Sequence, residues 1–175
     1  MLKKIAIIIV VVIAILLIWA ATRPDTFSVQ RSATINAPPE KIFPLINDFH
    51  AWPTWSPWEK LDPGMKRTYS GAASGKGSVY AWDGNKDVGS GRMELTDSAA
   101  PSKVDIKLDF LRPFEAHNIT EFTLQPSGGA TTVTWRMHGP QPFFAKLMSI
   151  FFSMDKMVGK DFETGLANLK AVAEK

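Results

Sequence analysis

The 175-residue chain contains no cysteine. Disulfides, thiolate nucleophiles, thiolate metal sites and lipoprotein-type acylation are thereby excluded, while an oxidising compartment stays open to it. Histidine is scarce: His50, His117 and His138 are the only three, and none stands in an H-E-x-x-H or comparable ligand spacing. The acidic pairs are no better placed for chemistry. Asp105 with Asp109 falls on one face of an alternating segment, and Asp161 with Glu163 on a helical surface. Gly75-Lys76-Gly77 is too short for a phosphate loop, and no helix follows to turn N–H groups toward an anion. No metal, cofactor or catalytic residue is assigned on this basis. A dominant charge is missing too. Residues 1–21 hold Lys3 and Lys4 and no acid, so the remainder carries 18 basic against 17 acidic residues, a formal charge of +1. Without a basic cluster it lacks the footprint of a nucleic-acid binder.

What is present begins with a hydrophobic run. Ile5 to Ala21 carries no charge and would extend about 26 Å as a helix, close to the thickness of a thin hydrocarbon core. Cleavage after Ala21 would put bulky Trp19 where a signal peptidase needs a small residue, and Ala20 with Thr22 offers a weaker site. The sequence therefore predicts an uncleaved anchor at 1–21, a tether at 22–26 and one domain at 27–175. Contact with the membrane is expected through residues 5–21. Lys3 and Lys4 before the run, against Arg23 and Asp25 after it, place the N-terminus in the cytoplasm and the domain on the outer side, periplasmic or extracellular.

The segment Ile35 to Trp58 predicts a short helix opened by Pro38 and Pro39, with Ile42, Phe43, Leu45, Ile46 and Phe49 at helical spacing. Trp52, Trp55 and Trp58 follow at three-residue intervals among Pro53 and Pro57, too proline-rich for a regular helix. These indoles are expected to form a hydrophobic lid or plug over one end of the core. Beyond them the pattern alternates: Ser78, Tyr80 and Trp82, then Val104, Ile106, Leu108 and Phe110, then Val133, Trp135 and Met137 each share one face. Turn signals at Asp62-Pro63-Gly64, Asp83-Gly84-Asn85, Ala100-Pro101-Ser102 and Ser127-Gly128-Gly129 make consecutive antiparallel hairpins. After His138-Gly139-Pro140 the period changes, and Phe144 to Leu169 predicts one long amphipathic helix in which Gly159 and Gly165 mark a kink or a close approach to the sheet. The fold class is α+β: a curved antiparallel sheet wrapped around a long C-terminal helix.

Asn36 to Phe49, the W-x-x-W-x-P-W loop at Trp52 to Trp58, the Gly75–Gly84 strand, Thr132-Val133-Thr134-Trp135 and Phe162-Glu163-x-Gly165-Leu166 together resemble the START/polyketide-cyclase superfamily of helix-grip proteins, SRPBCC, over residues 27–175. The resemblance implies a cavity between sheet and helix. On that reading a small hydrophobic molecule, such as a lipid, isoprenoid or aromatic metabolite, would meet Tyr80, Trp82, Met93, Phe110 and Trp135 on the sheet and Met148, Phe151 and Met154 on the helix. Trp52, Trp55 and Trp58 would be its lid. Two other readings stay open. A cyclase- or hydrolase-type enzyme would move protons with Tyr80, Asn118, Glu121 or a histidine in the same cavity, and a ligand-free interaction module would have a filled core and an exposed apolar patch.

Overall fold

The computed structural model describes all 175 residues. A 20-residue helix, α1 (Leu2–Ala21), leads at once into strand β1 (Thr26–Ile35). Pro38 caps and Pro39 opens α2 (Pro39–Asn47), where the missing proline N–H leaves no intrahelical bond unmade. The proline-spaced tryptophan segment forms two short 3-10 turns, Phe49–Thr54 and Pro57–Lys60. Six strands follow: β2 (Lys66–Gly71), β3 (Ser78–Asp83), β4 (Ser90–Ala99), β5 (Lys103–Arg112), β6 (Ala116–Ser127) and β7 (Ala130–Pro140). They form one antiparallel sheet with β1, in the order β1-β7-β6-β5-β4-β3-β2. Every neighbouring pair but β1–β7 is a sequential hairpin, so the first strand closes the sheet against the last.

The alternation of each strand sends one set of side chains inward. Register aligns them in rows across the sheet: Val104, Phe122, Trp135 and Arg31 in one, and Leu95, Ile106, Thr120, Met137 and Val29 in the next. A third row joins Tyr69, Tyr80, Met93, Leu108 and Asn118, and a fourth Arg67, Trp82, Gly91, Phe110 and Ala116. His117, Glu121, Arg136 and His138 take the opposite parity and face out.

The C-terminal segment is helical as expected, but in two pieces, α3 (Phe143–Met148) and α4 (Met154–Ala173). Ser153 caps the new start: its side chain accepts from the Lys156 N–H, and an N-cap backbone is extended, so a continuous helix cannot pass through it. The glycines of α4 mark close approach. A Cβ at Gly159 would lie 2.1 Å from Arg31 Nη2, and one at Gly165 would lie 2.7 Å from Trp135 Cζ3. Arg31 rises from β1 to bind Asp155 (2.8 Å) and Glu163 (2.7 Å), clamping α4 along the sheet.

Candidate functional site

The inward rows and α4 enclose the space in which a ligand was expected, and the tryptophan segment occupies its centre. Trp55 is fully buried and Trp52 nearly so. Trp55 lies 4.8 Å from Trp52, 5.6 Å from Trp135 and 6.2 Å from Phe122, ring centre to ring centre. Trp135 stacks on Phe162 of α4 at 4.1 Å and 8°. Trp58, half-buried, meets both Trp135 and Phe162 edge-on. Two indoles are pinned by hydrogen bonds to α2, Trp52 Nε1 to Ile46 O (3.0 Å) and Trp55 Nε1 to Leu45 O (2.8 Å). Asn168 of α4 donates to Trp55 O at 3.0 Å. Rings packed and tethered in this way form a plug continuous with the core; a lid would need a surface free to lift.

The plug ends at the third row. Phe49 reaches Tyr80 at 5.9 Å, and Tyr80 then contacts Trp82 at 6.1 Å. Trp82 meets Phe110 edge-on at 5.8 Å, and both are only half-buried. Tyr80, Trp82, Met93 and Phe110 therefore share the inward face of the sheet, as the alternation implied for Tyr80, Trp82 and Phe110. Trp135 is separated from them, sealed between the plug and Phe162. Along the same interior, Thr120 Oγ1 and Trp135 Nε1 are buried without a hydrogen-bond partner.

Met148, Phe151 and Met154 do not line this space. They are 36%, 62% and 45% exposed. The break between α3 and α4 is the reason: periodicity carried straight from Phe144 to Leu169 puts these side chains on the buried stripe, but the stripe begins afresh at Ser153 and its buried members are Gly159, Phe162, Gly165, Leu166, Leu169 and Ala173.

One polar cluster at the open end escaped the sequence. Glu59, at the end of the plug, has a side chain only 6% exposed. Its Oε1 accepts from Tyr80 Oη (2.7 Å) and its Oε2 from Arg67 Nε (2.6 Å), while Arg67 Nη1 donates to Met65 O (2.9 Å). Burial, and then the hydrogen bond to Glu59, push the Tyr80 phenol far above its usual range; burial also raises Tyr69. Tyr80 is thus locked as a donor whose proton is already used, and both oxygens of Glu59 are engaged, which leaves neither free to take a proton from a substrate. The only hint in the sequence was an acid directly after Trp58.

The other proposed proton carriers lie elsewhere. Glu121 is on the outer face, bound to Arg136 at 3.2 Å, with His138 at 3.5 Å. His50 stacks on Tyr69 at 4.2 Å with Nδ1 2.9 Å from Asp48. His117 Nδ1 is 2.7 Å from Asp109 on the outer face. That bond raises the His117 pKa. Burial works against ionisation of Asp109, but hydrogen bonds from His117 and Lys107 prevail and hold its carboxyl below the usual range. Asn118 does face inward, as a nontitrating amide. A depression on the outer face, lined by Gln30, Glu121, Thr123, Gln125, Thr134 and Arg136, contains no hydrophobic side chain and is unsuited to an apolar molecule.

Among solved structures the fold has many counterparts. A protein of Chromobacterium violaceum superposes with a TM-score of 0.60 at 16% identity, covering 87% of this chain and 99% of its own. The Aha1 dimer of Colwellia psychrerythraea gives 0.58 at 18%, covering 85% and 96%. Ginseng major latex-like protein 151 from Panax ginseng gives 0.60 at 12%, covering 87% and 100%. No curated protein matches in sequence. The family described as polyketide cyclase / dehydrase and lipid transport matches residues 26–174, from the first residue of β1 to the residue that caps α4. With its seven-stranded sheet gripping a C-terminal helix, the chain belongs to that polyketide cyclase/dehydrase and lipid transport family.

Proposed function

We propose that the chain is a membrane-anchored binding domain that holds a small hydrophobic molecule at the open end of its sheet. The observation that carries this reading is the inward row of Tyr80, Trp82, Met93 and Phe110, which continues past the last ring of the tryptophan plug and in which Trp82 and Phe110 are only partly buried against the core. Aromatic and thioether walls suit a lipid, isoprenoid or aromatic compound. Asn118 and the unpartnered Thr120 hydroxyl offer hydrogen bonds to a single polar group on it. Proton-transfer chemistry has less support, because the one buried acid at this end, Glu59, is already saturated by Tyr80 and Arg67. The anchor would be α1, a 20-residue helix whose most apolar 18 residues have a mean hydropathy of 3.0, long and apolar enough to cross a membrane. Trp19, with Arg23 packed 5.1 Å over its ring, suits the interface where that helix leaves the bilayer. Lys3 and Lys4 would keep the N-terminus cytoplasmic and the domain outside.

The full chain, purified from cells and extracted with organic solvent, tests this by mass spectrometry beside a Phe110→Glu variant. A hydrophobic compound enriched in the wild type and depleted in the variant is expected. Identical extracts from both, containing only bulk membrane lipid, would refute ligand binding at this surface. They would favour the ligand-free interaction module, a reading supported by the dense ring packing beneath α4.

A further inference from the structure

The segment that failed to line the interior has a different environment. Between β7 and the body of α4 the chain exposes Phe143, Phe144, Phe151, Phe152, Met154 and Met157, at 49%, 64%, 62%, 58%, 45% and 62%. Six large apolar side chains within fifteen positions are far more than scattered surface hydrophobics explain. Their location singles out one occupant. α3 packs against α1. Ala20, at the end of α1, is fully buried. The next residues are fastened to the same place: Asp25 O accepts from Gln141 N (2.7 Å), and the Asp25 carboxylate binds Lys146 of α3. The aromatic segment is therefore fixed at the level where α1 ends. If α1 crosses the bilayer, that level is the headgroup–acyl boundary. Around the patch Lys156 and Lys160 are exposed and can reach lipid phosphates, while Asp155 is paired with Arg31 at 2.8 Å.

We propose that the α3–α4 connection, residues 143–157, docks into the outer-leaflet surface of the membrane that α1 spans, so that the domain lies on the bilayer through two elements. The proposal rests on α1 as an anchor, and it adds that the start of α4 faces lipid.

Because the chain has no native cysteine, single thiols can be placed at will. Full-length Phe144→Cys, Phe151→Cys, Val12→Cys and Thr123→Cys variants, each carrying an NBD fluorophore, are reconstituted in phosphatidylcholine/phosphatidylglycerol vesicles containing doxyl-labelled lipids. Quenching by shallow doxyl groups at positions 144 and 151, with the outer-face position 123 unquenched, is the expected result. Emission typical of water at both 144 and 151 overturns the dock. So does blue-shifted emission without doxyl quenching, which would mean that protein, such as a second copy, covers the patch. The probe at Val12 reports separately on the anchor: deep quenching there with water-like 144 and 151 removes the dock and keeps the anchor, whereas water-like emission from the Val12 position removes the anchor. Circular dichroism of each variant controls for folding.

Discussion

Replacing Trp55 with alanine discriminates a plug from a movable lid. The indole is fully buried among Trp52, Trp135 and Phe122, and its N–H is bonded to Leu45 O at 2.8 Å. Truncating a buried tryptophan to alanine costs about 3–5 kcal/mol in lost transfer energy and cavity formation. The Leu45 carbonyl, at the C-terminal part of α2, loses its side-chain donor and adds about 1 kcal/mol or more if water does not replace it. The Trp55→Phe variant separates the contributions, keeping most of the apolar contact and losing the hydrogen bond, for roughly 1–2 kcal/mol. Urea unfolding of the full chain in detergent, followed by near-ultraviolet circular dichroism from the six tryptophans, measures both changes as shifts in midpoint at constant slope. A lid that opens in the native state would be worth little to the folded domain. A Trp55→Ala loss below about 0.5 kcal/mol, the range of ordinary surface substitutions, would refute the plug.

Gly165→Ala should destabilise the domain by about 1–3 kcal/mol although alanine is the better helix former, because the added Cβ meets the Trp135 ring at 2.7 Å; a thermal or urea midpoint equal to or above the wild type would contradict the close approach. The protein's only two tyrosines are both held above the ordinary value of 10.0, so phenolate absorbance near 295 nm should develop at higher pH than for free tyrosine while the fold is intact, and two phenols titrating at the ordinary value would refute the buried Tyr80–Glu59 pair. The His117–Asp109 bond raises one pKa and lowers the other. Its contribution through His117 is full below 6.5 and fades as pH rises past the elevated folded value, while the contribution through Asp109 is full above 3.8 and fades as pH falls below it. His117→Gln should flatten the alkaline side of the stability profile, and an unchanged slope above pH 6.5 would show the pair to be inert.

Much of the architecture was legible because burial imposes period. Alternation in Val104 to Phe110 and Val133 to Met137 has only one physical reading when one sheet face is dry, and the structure places those residues inward. Gly159 and Gly165 were legible as points of contact because a long helix tolerates glycine only where something else occupies the room of a side chain. The break before α4 was not. Phe144, Leu147, Phe151 and Met154 keep helical spacing across it, and a hydrophobic stripe facing a membrane has the same period as one facing a core. The cap that ends the stripe is a single serine, Ser153, four residues after another, Ser149. The site was half legible for a related reason. Strand parity set the facing of Tyr80, Trp82 and Phe110, but the pairing of Glu59 with Tyr80 joins residues 21 positions apart through a loop with no period at all.

The path from α1 to β1 is only Thr22 to Asp25, four residues that span at most about 14 Å when fully extended. If α1 spans a membrane as proposed, a domain on so short a lead would not leave it to carry cargo through an aqueous compartment. Its encounters would be confined to two dimensions. Any molecule it took up would come from the lipid beneath it or from a partner diffusing in the same plane, and handover to another membrane would require that membrane to come within a protein diameter. Lateral density in the membrane, more than concentration in solution, would then set how fast such a domain fills and empties.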